Sequence, residues 1–333
     1  MEKGFIVGAY QRQSLGFRWV VAFSLLSTAG GILLVIANIE RSSANIRASK
    51  RGAFSGPVGT KRNLKKEDYL RQALRLKARV RMAYGDYAKA QPLAEQALAS
   101  ARTTNACESE LSSCLLDLAW LYRHQGKLAK AKKMCKLGLR LQEKLYSKNH
   151  PYVAYALRIL GSIYQAQGKY RDAWRVLNRA LAIMQNNYMN DDPIIGPFQV
   201  DIGRLLAARG DLAEAEGYYL AALGLINKSH GPEDVYTAGV IGSIARLYTL
   251  QGRYVEAQPL IKRTLAIQER VYGPDHHLLA GTWLTMAKIC QAKRDDAQAE
   301  RLINKARDAA EKTGNPLCIA ELDEQAAMIY SYR

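Results

Sequence analysis

A six-residue motif recurs along this chain at an almost constant interval, and no other feature limits the fold as strongly. The segment GKYRDA at residues 168–173 returns as GDYAKA, GKLAKA, GDLAEA and GRYVEA, and in a degraded form as RDDAQA. The first interval is 41 residues and the other four are 42. A fixed period of this size is typical of a solenoid, in which each unit buries its apolar side against the next. The sequence therefore predicts six stacked units within residues 64–333.

Small residues recur at fixed distances from the last alanine of each motif. These anchor alanines are Ala90, Ala131, Ala173, Ala215, Ala257 and Ala299. Twelve residues before each anchor the chain has Ala or Gly in all six units: Ala78, Ala119, Gly161, Gly203, Ala245 and Ala287. Small residues at helical spacing let two helices approach closely, so the pattern predicts two helices per unit. The motif glycines predict the end of each first helix, and an amphipathic stretch at residues 317–330 predicts a capping helix.

The spacing of small residues, Tyr, Gly and Ala in residues 156–183 resembles the tetratricopeptide repeat family. The 42-residue period and inter-repeat turns such as YGPDHHLLA (272–280) resemble the kinesin-light-chain type of repeat. The resemblance covers residues 64–333 and implies an all-α, right-handed α-solenoid of six helix pairs. It also implies a concave groove, formed by the first helices, that binds extended peptides or helices of a partner.

The inward positions of this groove should lie 15, 11 and 8 residues before each anchor alanine. None of these 18 positions is acidic and seven are basic. The candidate peptide-binding residues are Arg75, Arg79, Trp120, Arg123, Arg158, Arg204, Arg246 and Lys288. A positive stripe of this kind favours an acidic or phosphorylated partner segment. The alternative is that these side chains are solvated or paired with nearby carboxylates such as Asp117 and Asp201.

An uncharged apolar run fills residues 19–39, between a basic N-terminal tail (1–18) and a basic linker (40–63). A helix of this length spans about 31 Å, so the run predicts one transmembrane helix. Small-xxx-small spacings within it favour self-association of that helix. Basic residues at 61–66 favour a membrane protein with a cytoplasmic repeat domain. Two alternatives are a cleaved signal peptide, which would leave a secreted or periplasmic repeat protein, and a buried helix of the soluble domain.

The formal charge of +18 raises nucleic-acid binding as a second function. However, residues 1–66 hold 11 Lys/Arg and only two Asp/Glu, and the repeats show no aromatic ladder for stacking bases. The five histidines and five cysteines show no catalytic, metal-binding or cofactor-binding spacing. We therefore expect no enzyme and no cofactor, but a membrane-anchored scaffold or adaptor that binds a protein partner.

Overall fold

Twelve α-helices, arranged as six antiparallel pairs, make up the described part of the chain. The computed structural model describes residues 66–104, 106–311, 319 and 323. The first helices of the pairs are α1 (Lys66–Ala83), α3 (Glu108–His124), α5 (Pro151–Ala166), α7 (Gly196–Arg209), α9 (Val235–Leu250) and α11 (Ala280–Ala292). The second helices are α2 (Tyr87–Thr103), α4 (Leu128–Leu145), α6 (Tyr170–Asn187), α8 (Leu212–His230), α10 (Tyr254–Tyr272) and α12 (Asp296–Glu311). Short 3₁₀ turns, Pro193–Ile195 and His277–Leu279, precede α7 and α11.

The small residues that define the repeat lie where the two helices of a pair meet. All six anchor alanines are buried, as are the alanines and glycines twelve residues before them. A Cβ added to Gly161 on α5 would come within 2.6 Å of Leu177 Cδ2 on α6. This close approach confirms the predicted pairing, because only a small residue permits it.

A residue with left-handed backbone geometry lies one or two residues after the end of each first helix. Five motif glycines have φ between 69° and 92°: Gly85, Gly126, Gly168, Gly210 and Gly252. The sixth repeat has no glycine in its degraded motif, and Arg294 takes the same conformation there with φ 61°. The turn is therefore kept in all six repeats, and in the last one it places an L-residue in a conformation that glycine adopts more readily.

The turn from one pair to the next is fixed by an N-cap at a repeated position. His150, Asp192, Asp234 and His276 are spaced by 42 residues, and each side chain accepts a hydrogen bond from the backbone N–H two residues later. Such caps satisfy an N–H group that helix geometry leaves without a partner. The two histidines therefore have a structural role at the turns.

Hydrophobic cores run continuously along the stack. One cluster of buried residues extends from α1 to α9, and smaller clusters fill the last two repeats. Within the described ranges no strand occurs. The prediction of an all-helical solenoid of six helix pairs is thus confirmed.

Several predictions concern residues that the structure does not describe. The basic tail (1–18), the apolar segment (19–39) and the linker (40–63) lie wholly outside the described residues. Among the helices that are described, none is both long enough and apolar enough to cross a bilayer. Of the predicted capping helix, only Ile319 and Asp323 are described; both are helical, and Ile319 packs against the core of the last repeat.

Candidate functional site

A cavity of about 320 Å³ opens on the side of the stack formed by the first helices. It is lined by residues of α1, α3, α5 and α7, with one side chain, Gln142, contributed by α4. Eight residues at predicted inward positions line it: Arg79, Met82, Leu116, Trp120, Arg123, Arg158, Ser162 and Arg204. Four other residues at such positions in the first four repeats, Arg75, Gln165, Val200 and Ala207, do not line the cavity.

Asp117 on α3 joins the first and second repeats through two arginines of α1. Arg75 Nε donates to Asp117 Oδ2 at 2.9 Å, and an Arg79 terminal nitrogen donates to Asp117 Oδ1 at 2.8 Å. The Asp117 side chain is 4% exposed and that of Arg79 is 8% exposed. Arg75 and Arg79 are thus paired, as the second interpretation of the sequence expected.

Asp201 on α7 has the same role between the third and fourth repeats. Arg158 on α5 donates from Nε to Asp201 Oδ2 at 2.6 Å, and its guanidinium also lies 4.8 Å from the centre of the Phe198 ring. Arg204 lies further from Asp201, with 3.6 Å between the closest nitrogen and oxygen, and its side chain is 42% exposed. Arg158 is therefore held in place, while Arg204 keeps a large part of its surface open to the groove.

Trp120 and His124, which line the cavity, belong to an aromatic cluster. The His124 ring lies 3.9 Å from that of Trp120 and stacks on Tyr87 at 5.3 Å, measured between ring centres. Burial lowers the pKa of His124 well below its ordinary value, and the positive charges of Arg123 and Arg204 lower it further. The imidazole is therefore neutral at pH 7 and belongs to the apolar part of the groove.

The floor of the cavity combines apolar side chains with one buried amide. Leu116, Tyr155 and Ile159 supply the apolar surface. Gln142 donates from Nε2 to Ser112 Oγ at 2.8 Å, while its buried Oε1 has no hydrogen-bond partner among the described residues. The lining of the cavity thus combines apolar side chains with four arginines and two aspartates.

The structure does not bring all the candidate residues into this cavity. Arg75 lies beside it in its ion pair with Asp117. Arg246 on α9 is exposed and Lys288 on α11 is half-buried, and neither lines the cavity. His124 and Tyr155 line the cavity, although the positions predicted from the sequence do not include them. Both are aromatic residues close to a predicted inward position: His124 follows Arg123, and Tyr155 lies three residues before Arg158. That proximity is the sequence signal that could have identified them.

Comparisons with known proteins agree with the fold. A profile described as "Tetratricopeptide repeat" matches residues 114–186, 198–257 and 236–312, which is more than half of the chain. Among curated proteins, none matches the sequence.

Solved structures give similar results. NprR, solved in complex with its cognate peptide NprX, is 17% identical; the match covers 90% of this chain and 80% of that chain with a TM-score of 0.64. BtubC (BKLC) from P. vanneervenii is 22% identical over 68% of this chain and 90% of that one, with a TM-score of 0.52. Kinesin light chain repeats of P. anserina, described as nearly identical TPR-like repeats, are 24% identical over 62% and 97%, with a TM-score of 0.47.

Proposed function

The chain belongs to the tetratricopeptide repeat family, and on that premise we propose that it is a scaffold whose concave groove binds an acidic segment of a partner protein. Helical repeat arrays use such concave surfaces to bind extended segments. NprR, whose fold is similar, was solved with a peptide bound. At 17% identity this likeness concerns the fold, so the proposal depends on the groove of this chain.

The observation that carries the proposal is the composition of the cavity. Its four arginines outnumber its two aspartates, so it has a net positive charge when His124 is neutral. Its floor is apolar and large enough for a side chain of the partner. A segment that places an apolar residue on this floor and carboxylates beside it matches the site in both shape and charge.

Two kinds of arginine have different roles in this proposal. Arg79 and Arg158 are held by aspartates of the following repeat and fix the shape of the groove. Arg204, which is partly exposed, and Arg246, which is exposed one repeat further along, are available to carboxylates of a partner. Guanidinium groups bind carboxylates through paired hydrogen bonds, which favours Asp and Glu in the bound segment.

A second part of the proposal concerns where the protein is located and rests on residues 19–39. As a membrane-spanning helix they would hold the repeats beside a membrane, with the basic residues after the helix on the cytoplasmic side. Extraction of membranes with alkaline carbonate tests this, because a spanning helix stays in the pellet. Release of the chain into the supernatant would contradict it.

The test of the groove is selection of random displayed peptides on the immobilised full chain. We expect the selected peptides to be enriched in Asp and Glu. The double variant Arg204→Glu/Arg246→Glu should lose this enrichment, because each substitution replaces attraction by repulsion. Circular dichroism should show unchanged helix content, since both side chains lie at the surface.

A matched control uses two exposed basic residues of second helices, Lys262 on α10 and Arg301 on α12. The variant Lys262→Glu/Arg301→Glu changes the net charge by the same amount and should select the same acidic peptides as the native chain. If both variants lose the enrichment equally, or if the native chain selects no acidic peptides, the basic groove is not the binding site.

A further inference from the structure

One second helix, α4, differs in charge from its five counterparts. It has six Lys/Arg and one Glu, whereas the net charges of the other second helices lie between −1 and +2. The repeat gives all six helices the same place in the stack, so the fold itself does not require this excess. Its reason lies outside the packing of the solenoid.

The charges of α4 form a stripe on its outer face. Five basic residues follow one another at intervals of three or four: Lys130, Lys133, Lys136, Arg140 and Lys144. All five are exposed. Residues at this spacing share one side of a helix, and a separation of 14 residues corresponds to about 21 Å along its axis. The structure thus presents a row of exposed positive charge along most of the length of α4.

Carboxylates neutralise little of this row. Lys144 pairs with Glu108, and Glu143, the only acidic residue of α4, pairs with Arg179 of α6 at 2.7 Å. Among the described residues, no carboxylate forms an ion pair with Lys130, Lys133, Lys136 or Arg140. Four adjacent positive charges therefore face solvent and repel one another weakly, and a surface of opposite charge would relieve this repulsion.

We propose that this row, the outer face of α4, docks on a membrane surface rich in anionic phospholipid. Four of its five residues are lysines, whose compact charges suit a diffuse layer of headgroups, whereas recognition of individual phosphates favours arginine. No aromatic residue lies between residues 130 and 144, so the row lacks the platform on which single-stranded nucleic acids stack. Leu145, 39% exposed at the end of the helix, adds apolar surface at the level of the headgroups.

The test follows the acylation of individual lysines in the full chain by mass spectrometry. The chain is mixed with vesicles of phosphatidylcholine alone or of phosphatidylcholine with phosphatidylserine. We expect the anionic vesicles to slow labelling of Lys130, Lys133, Lys136 and Lys144 severalfold, and high salt to restore it. Lys262 on α10 should be labelled equally with both vesicles. Because each lysine is read separately, attachment through residues 19–39 does not produce the same result.

A test variant and a control variant, each of which removes three positive charges, make the experiment specific. In Lys130→Gln/Lys133→Gln/Lys136→Gln, Lys144 should lose its protection, since removal of three lysines near an anionic surface weakens attraction on the order of 100-fold. The control, Arg102→Gln/Lys262→Gln/Arg301→Gln, removes exposed charges from α2, α10 and α12 and should keep it.

Two results would overturn the proposal. The first is equal labelling of Lys130, Lys133, Lys136 and Lys144 with neutral and anionic vesicles. The second is stronger protection of the same lysines by a DNA or RNA oligonucleotide than by anionic vesicles at about 0.15 M salt. That result would assign the row to nucleic acid instead.

Discussion

Arg158 and Asp201 lie 43 residues apart and join the third repeat to the fourth, with Nε donating to Oδ2 at 2.6 Å. Arg75 and Asp117, 42 residues apart, form the same contact between the first repeat and the second. In each case an arginine at an inward position reaches a carboxylate on the first helix of the next repeat. The ion pairs therefore stabilise the boundaries between repeats and limit which arginines a partner can contact.

Loss of the Asp201 carboxylate should loosen this boundary. In Asp201→Asn, Arg158 keeps its charge at a site where its side chain is only 21% exposed. We expect the free energy of unfolding to fall by about 1–3 kcal/mol, which is the cost of leaving a buried polar group without its partner. The weakened boundary should be detected as faster amide hydrogen exchange in α5 and α7, because boundaries in a repeat array open locally. Asp172→Asn removes an exposed pair with Arg175 and should change stability by less than about 0.5 kcal/mol; equal effects of the two would contradict the assignment.

The small residue at the helix crossing of the third repeat should resist even one added methyl group. In Gly161→Ala the new Cβ would lie 2.6 Å from Leu177 Cδ2, so Leu177 or α6 must move. Overpacking of this kind costs about 1–3 kcal/mol. Thermal unfolding measures the change.

An exposed helical glycine serves as the control for this substitution. Gly217 on α8 has no atom within 4 Å of an added Cβ. Gly217→Ala should therefore stabilise the protein by about 0.5–1 kcal/mol through helix propensity. A stabilising Gly161→Ala would show that the two helices are not closely packed there.

The histidine caps should make the stack sensitive to acid. His150 and His276 accept their cap hydrogen bonds through Nδ1, which a proton would block. Burial lowers the pKa of both groups below the ordinary value of 6.5. The unfolded chain therefore takes up the proton first as the pH falls, so the stabilisation is complete above about pH 6.5 and declines below it. Chemical denaturation at pH 7.5 and about pH 5 measures the difference.

The repeat itself provides the matched variant for this prediction. At the position equivalent to His150, Asp192 caps the 3₁₀ turn before α7 and Asp234 caps α9. His150→Asp/His276→Asp should keep the caps and reduce the loss of stability between these two pH values. An unchanged pH dependence would show that other groups cause it.

The cysteines should differ in how fast alkylating reagents modify them in the folded chain. Burial raises the pKa of Cys114 to about 11 and raises that of Cys135 as well. Only thiolates react rapidly with alkylating reagents, so both thiols should stay unmodified in the folded chain at pH 8. Cys107, which is partly exposed, should be alkylated first. Rapid native labelling of Cys135, read by mass spectrometry, would contradict its position in the core.

The architecture follows from the repeat pattern in the amino-acid sequence. The constant stride of the anchor alanines and the small residues opposite them predict paired helices, because each pair can bury its apolar side only on its neighbours. The same stride also identified inward residues such as Arg79 and Arg204, since helical spacing fixes which side of a helix a residue faces. It also gave both interpretations of the basic stripe, but no means of choosing between them.

Which of these arginines are already paired depends on how the repeats pack in three dimensions. Arg158 reaches Asp201 because the third and fourth repeats are staggered so that positions 43 residues apart come into contact. That stagger results from the packing of whole helices and is not written in any local pattern. For the same reason the stacking of His124 on Tyr87, which joins two repeats, could not be predicted from sequence periodicity.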